Sequence, residues 1–182
     1  MASSDEKLAR LLRLSAWLSH AARAVAILLL LANAVMWLVP DFAADAARIQ
    51  SALQQAPMTL TLEARLAALL VSSLYVGVLA FGMLTAAQLF RAFATGEILV
   101  PATGAKLRRL GLSLFVFAVV SPLFRAVMGI IATIGNAPGQ RALAVSISSN
   151  DAALALIAAL ILVLGHIMAE AARIAEDHQH IV

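Results

Sequence analysis

The chain has 182 residues, 63% of them hydrophobic and 13% charged, with a formal net charge of +3 and no cysteine. A soluble domain is about 45–50% apolar and about 25% charged, and so small a fold leaves too much surface in water to hide this excess; the composition excludes an ordinary soluble globule and points to lipid as solvent. The absence of thiols excludes disulfides, thiolate metal sites and a cysteine nucleophile. Although the sequence pI is about 10.2, the basic residues sit at the ends of apolar runs, the pattern of membrane orientation rather than of a nucleic-acid face.

Residues 1–13 are polar and basic. Asp5 and Glu6 precede Lys7, Arg10 and Arg13, acids first, as the positive end of a helix dipole favours. Leu8, Leu11, Leu12 and Leu14 recur at helical spacing, which predicts an interfacial helix leading into a first span over about residues 15–39. Its uncharged part, residues 24–40, is extended by a snorkelling Arg23. A cleaved signal peptide ending near Ala32 and Ala34 is the competing reading, but the apolar run continues through Val35–Met36–Trp37–Leu38–Val39 and the basic lead-in is long. In the first connector Phe42, Ala46, Ile49 and Leu53 share one face of an amphipathic helix that Pro57 ends. Met58, Leu60 and Leu62 then alternate with Thr59 and Thr61, which predicts a short strand.

A second span covers about residues 66–90, with small residues four apart (Ser73 and Gly77, Gly82 and Ala86) that allow close helix packing. Residues 91–107 form a central connector in which Gly96 stops one helix, the residues before Pro101 are extended and Thr103 caps the next helix. The third span, about residues 108–132, contains Pro122, a candidate kink, and Arg125, read as snorkelling to the interface because an arginine at the bilayer centre costs roughly 2.5–3.5 kcal/mol or more, with a buried functional charge as the alternative. Leu143, Val145 and Ile147 alternate with smaller residues, a second strand signal, and a lone strand leaves its backbone groups unpartnered. Residues 58–62 and 143–148 are therefore expected to pair. Ser149, Asn150 and Asp151 form a cap cluster ahead of a fourth span, about residues 152–172, and a polar tail, residues 173–182.

Nine basic residues (Lys7, Arg10, Arg13, Arg23, Arg91, Lys106, Arg108, Arg109 and Arg173) fall on the side of the termini, against Arg48, Arg65 and Arg141 on the other. The positive-inside rule then sets both termini in the cytoplasm. The expected fold is all-α: a single integral membrane domain over residues 1–182, a four-transmembrane-helix bundle with a small extracytoplasmic two-stranded β element.

Chemistry is sparse. The chain has no Gly-x-Ser-x-Gly, no His-Glu-x-x-His and no phosphate loop, and its spans lack the carboxylates of a proton relay. No catalytic residue, cofactor or metal is expected, and the protein reads as a non-enzyme. His20 and His166 lie at similar depth on different spans, which suits axial haem ligation; the plainer reading places one at the headgroups and bonds the other to a backbone carbonyl. His178 and His180 beside Glu176 and Asp177 form a His-x-His pair that suits a metal, against the plainer reading of a solvated tail. The charged connector and tail together offer a docking surface: Arg91, Phe93, Gly96, Glu97, Pro101, Arg108 and Arg109, with Arg173, Glu176 and Asp177.

The connector string LFRAFATGEILVPATGAKLRRLG resembles the Leu-Phe … Phe-x-x-Gly-Glu-x-Phe-Thr … Asn … Leu-Arg-x-Ile-Gly connector of a bacterial membrane family known as domain of unknown function 2975 (DUF2975). The tail EAARIAEDHQHIV is similar to that family's closing segment. Leu99 and Val100 stand where the family commonly has an aromatic residue and a threonine, and Ala105 stands near the position of its Asn. The resemblance implies a non-enzymatic protein of the bacterial cytoplasmic membrane that partners a small helix-turn-helix regulator; the placement of the basic residues argues against direct nucleic-acid binding. The alternatives are a haem or metal protein using His20 and His166, and a small transporter or lipid-binding module. Small-residue pairs such as Ser73/Gly77 and Ala155/Ala159 serve packing within one bundle or in a homo-oligomer.

Overall fold

A computed structural model describes residues 2–51, 53, 58, 60–97, 100–137, 143 and 145–179, the side chains of residues 2–8 and 177–179 excepted. Among the described residues there are five helices: α1 (Ala2–Leu38), α2 (Pro40–Gln50), α3 (Leu62–Ala94), α4 (Pro101–Thr133) and α5 (Ser149–Gln179). All but α2 are long and apolar enough to cross a membrane, so the chain is a multi-pass membrane protein by length and composition of its helices. The lead-in read as an interfacial helix is continuous with the first span: α1 runs 37 residues, about 55 Å at about 1.5 Å per residue, against a hydrocarbon core of about 30 Å.

The long helices pack in the order α1, α3, α4, α5, and among the described residues α1 and α5 do not pack along one another. The fold is two antiparallel hairpins, α1/α3 and α4/α5, joined along an α3/α4 seam. The starts of α1 and α4 and the ends of α3 and α5 lie at one extremity, the connector end. The opposite extremity carries α2.

Each seam is fixed by a different kind of contact. Between α1 and α3, Ser19 donates to the Ala87 carbonyl at 2.8 Å and Asn33 donates to Ser73 Oγ at 3.1 Å; such bonds within membranes average about 0.6 kcal/mol. Between α3 and α4, Tyr75 stacks on Phe117 and Phe124 with ring centroids 4.3 and 4.0 Å apart. Between α4 and α5, Gly104, Gly111 and Gly165 bring backbone against backbone. A Cβ at these positions would lie 2.5–2.6 Å from the backbone nitrogens of Ala169, Leu162 and Arg108 respectively. These glycines, rather than the four-residue small pairs, mark the tightest seam. Gly82 does meet its neighbour closely, against Ser113, whereas Gly77 faces open space.

The α2 end differs from expectation in two ways. Among the described residues there is no strand, and the expected β element is not supported; Thr59 and Ala144 of its two runs lie outside the described residues. Thr61 instead caps α3, its side chain accepting from the Ala64 N–H at 3.2 Å, with Glu63 in the first turn. In the second run Leu143, Val145 and Ile147 are exposed and the Ser146 carbonyl accepts from the Arg125 guanidinium. In each run a side chain, Thr61 in the first and Arg125 in the second, thus partners one backbone group. Secondly, α2 forms as expected, with Pro40 opening it, Asp41 in its first turn and Arg48 in its last, a charge order that complements the dipole. Its buried face, however, is Ala43, Ala46 and Ala47, while Phe42 and Ile49 point outward. Alanines let α2 join a buried cluster with Trp37, Ala68, Phe124 and Met128 from three long helices, where larger residues would hold it off.

Arg65 joins α3 to the end of α1. Its guanidinium donates to the Trp37 carbonyl from Nε at 3.1 Å and Nη2 at 2.8 Å, and also to the Leu38 carbonyl. The last carbonyls of a helix lack intrahelical partners and carry the negative end of its dipole. Arg65→Met keeps the side chain's apolar bulk and removes the donors; it is expected to lower stability by about 1–2 kcal/mol, read as a lower unfolding midpoint in detergent, while Arg65→Lys recovers part of the loss.

Candidate functional site

At the connector end the backbone turns in a defined way. The Gly96 N–H donates to the Phe93 carbonyl at 3.1 Å and the Glu97 N–H to the Ala92 carbonyl at 2.9 Å, the paired bonds of a Schellman motif. Gly96 has φ +82°, where a side chain would be strained, so its stop signal was readable in the sequence. Thr103 is placed differently from expectation. Pro101 begins α4 after an extended Val100 that supplies no side-chain cap. Thr103 is fully buried and donates from Oγ1 to the Glu97 carbonyl at 2.8 Å. It fastens the loop to α4 rather than capping the helix.

This turn forms one wall of a polar cleft of about 460 Å³, lined by Arg23 from α1, Gln88, Arg91, Ala92, Thr95 and Glu97 at the end of α3, and Lys106 from α4. An adjoining hollow of about 370 Å³ is lined by Ala16, Ser19, His20, Arg23, Arg91 and Ala94. Three cations from three helices thus face a single acid, Glu97. Among the described residues none of Arg23, Arg91 and Lys106 is in an ion pair. The cleft is an anion-attracting surface, and its potential follows from the excess of positive charge.

The structure brings Arg91 and Glu97 together here, and seats Phe93, Gly96 and Pro101 in the helix end and turn that shape the cleft. Arg108 is exposed with its backbone against Gly165. Arg109 is exposed and borders a different opening, between α3 and α4. Arg173 pairs with Glu170 at 2.7 Å on the surface of α5, and Glu176 is exposed; α5 continues as helix through Gln179 where a polar tail was expected. The side chains of Asp177 and His178 and the whole of His180 lie outside the described residues.

His20 and His166 are both exposed and occupy α1 and α5, the two outer helices of the row, so the chain does not bring them together. His20 donates from Nδ1 to the Ala16 carbonyl at 2.8 Å. Among the described residues no group of three or more His, Cys, Asp or Glu is placed to hold a metal.

Sequence reasoning missed two features. Arg23 and Lys106 were counted for orientation but not as walls of one cleft. Arg125, read as snorkelling, instead pairs with Asp151. Its Nη1 donates to Ser121 Oγ at 2.7 Å and lies 3.3 Å from Asp151 Oδ1, and its Nη2 donates to Asp151 Oδ2 and to the Ser146 carbonyl at 2.8 Å. The cap of α5 is Ser148, one residue before the predicted cluster. Its Oγ accepts from the Asp151 N–H at 3.2 Å while Asp151 Oδ2 accepts from the Ser148 N–H at 2.9 Å, a reciprocal capping box. The Ser-x-x-Asp spacing carried that signal. Comparison of the chain with protein-family models, with curated proteins and with solved structures finds no match.

Proposed function

We propose that this is a non-enzymatic protein of the bacterial cytoplasmic membrane, both termini inside, that docks a small cytoplasmic protein at its connector end. The carrying observation is the cleft in which Arg23, Arg91 and Lys106 converge from three helices around Glu97. A basic cleft on a membrane face attracts an acidic surface and raises its association rate. The excess of basic residues at this end supports the orientation. The resemblance to DUF2975 supports the partner class, a helix-turn-helix regulator held at or released from the membrane.

The test is gentle extraction from the host and mass spectrometry of what co-purifies. A small helix-turn-helix protein is expected in near-stoichiometric amount, lost as salt is raised and reduced roughly tenfold in an Arg91→Gln/Lys106→Gln variant, about the effect of removing two interfacial charges. Repeated recovery of the wild-type protein with no cytoplasmic partner would overturn the proposal.

A further inference from the structure

The opening between α3 and α4 is of a different character from the cleft. It is an exposed groove of about 640 Å³, walled by Leu74, Gly77, Val78 and Phe81 on one side and Leu112 and Val116 on the other. A smaller section of about 260 Å³ shares Leu74, Val78 and Val116 and continues past Tyr75 to Val127. From Arg109 to Val127 along α4 the two sections run roughly 27 Å at about 1.5 Å per residue, close to the hydrocarbon thickness of about 30 Å.

Polar groups in the groove are few and mostly satisfied. Ser113 donates to the Leu110 carbonyl at 2.9 Å, and Ser73 accepts from Asn33 at 3.1 Å. The exception is Arg109, which borders the wide section toward the connector end, is exposed, and among the described residues is in no ion pair. Gly77 faces the open space of the wide section, and a Cβ there would meet nothing within 4 Å. The groove is therefore amphipathic along its length: one unpaired guanidinium at an end, then hydrocarbon walls open sideways to the membrane.

We infer that this groove holds an acyl chain of an anionic glycerophospholipid from the leaflet on the connector side, with the lipid phosphate at the Arg109 guanidinium. A guanidinium matches a phosphate with two parallel hydrogen bonds, and a headgroup of net negative charge is favoured over a zwitterionic one near a basic residue. A second copy of the chain in the same membrane would bring its own basic connector end beside Arg109, like charge against like, whereas an anionic headgroup pairs with it. The inference does not depend on protein docking at the cleft.

The experiment is native mass spectrometry of the detergent-purified protein offered phosphatidylglycerol and phosphatidylcholine of equal chain length. The wild type is expected to retain phosphatidylglycerol roughly fivefold better or more, the order of one surface charge. Arg109→Gln should lose that preference and Arg109→Lys should keep part of it. Gly77→Leu fills the groove without meeting a neighbour at Cβ and should reduce retention of both lipids, at an unfolding midpoint close to that of Gly77→Ala. Equal retention of the two lipids by the wild type, or unchanged phosphatidylglycerol retention in both Arg109→Gln and Gly77→Leu, overturns the site and leaves only general annular lipid.

Discussion

Arg125→Ala is expected to destabilise the protein by about 3–5 kcal/mol, because it leaves a carboxylate enclosed without its cation. The Asp151 side chain is 11% exposed and the Arg125 side chain 21%, so solvent replaces little of what the substitution removes. The same arginine also satisfies the Ser146 carbonyl and is held by Ser121; its loss frees the segment entering α5 as well as the pair. Asp151→Asn keeps a hydrogen-bonding side chain in the capping box and should cost less than Arg125→Ala. Replacing both partners by Met and Leu should cost less than the sum of the single truncations, since neither then strands a charge. A double-mutant cycle of unfolding free energies in detergent measures the coupling. Strict additivity would mean that the pair does not link α4 to α5.

Gly165→Leu is expected to part α4 from α5. The atom nearest an added Cβ at Gly165 is the backbone nitrogen of Arg108, at 2.5 Å. Backbone cannot rotate aside, so the helices themselves must separate. Even Gly165→Ala should cost about 1–3 kcal/mol, the range for overpacking a tight interior, and leucine more. Gly111→Ala meets Leu162 in the same way; combining it with Gly165→Ala should cost less than the sum, because helices already separated have room for the second methyl. The native chain has no cysteine, so a single cysteine at Ala158, fully buried in this seam, reports the separation. Its labelling should be slow in the parent and fast in the Gly165→Leu background. Equal labelling rates would show that the seam stays closed.

The spans were legible because apolar length is a strong signal: 18 residues without charge between Ala152 and Ala169 have few soluble explanations. Gly96 was legible because a glycine beyond a helical run has a specific backbone role. The strands were misread for an equally specific reason. Alternation at Met58, Leu60 and Leu62 is also what a helix-entry segment shows when Thr61 caps and Met58 and Leu60 rest on the α2 core, while Leu62 opens the helix exposed. The α4/α5 seam escaped notice because Gly104 and Gly111 are seven residues apart and their counterpart, Gly165, is on another helix. The four-residue rule that selected Ser73/Gly77 describes spacing, not what the opposite helix presents. The same limit hid the cleft and the ion pair: Arg23, Arg91 and Lys106 share no local pattern, and Arg125 is 26 positions from Asp151.

The row order of the helices bears on how the protein is made. α3 finds α1 already in the membrane, α4 finds α3, and α5 finds α4, so no span waits for a partner synthesised much later. Each docking step joins segments close in sequence, which keeps the loop-closure cost low. Assembly can therefore follow translation helix by helix, and a chain arrested after α3 already holds its α1/α3 hairpin with the Ser19 and Asn33 bonds in place.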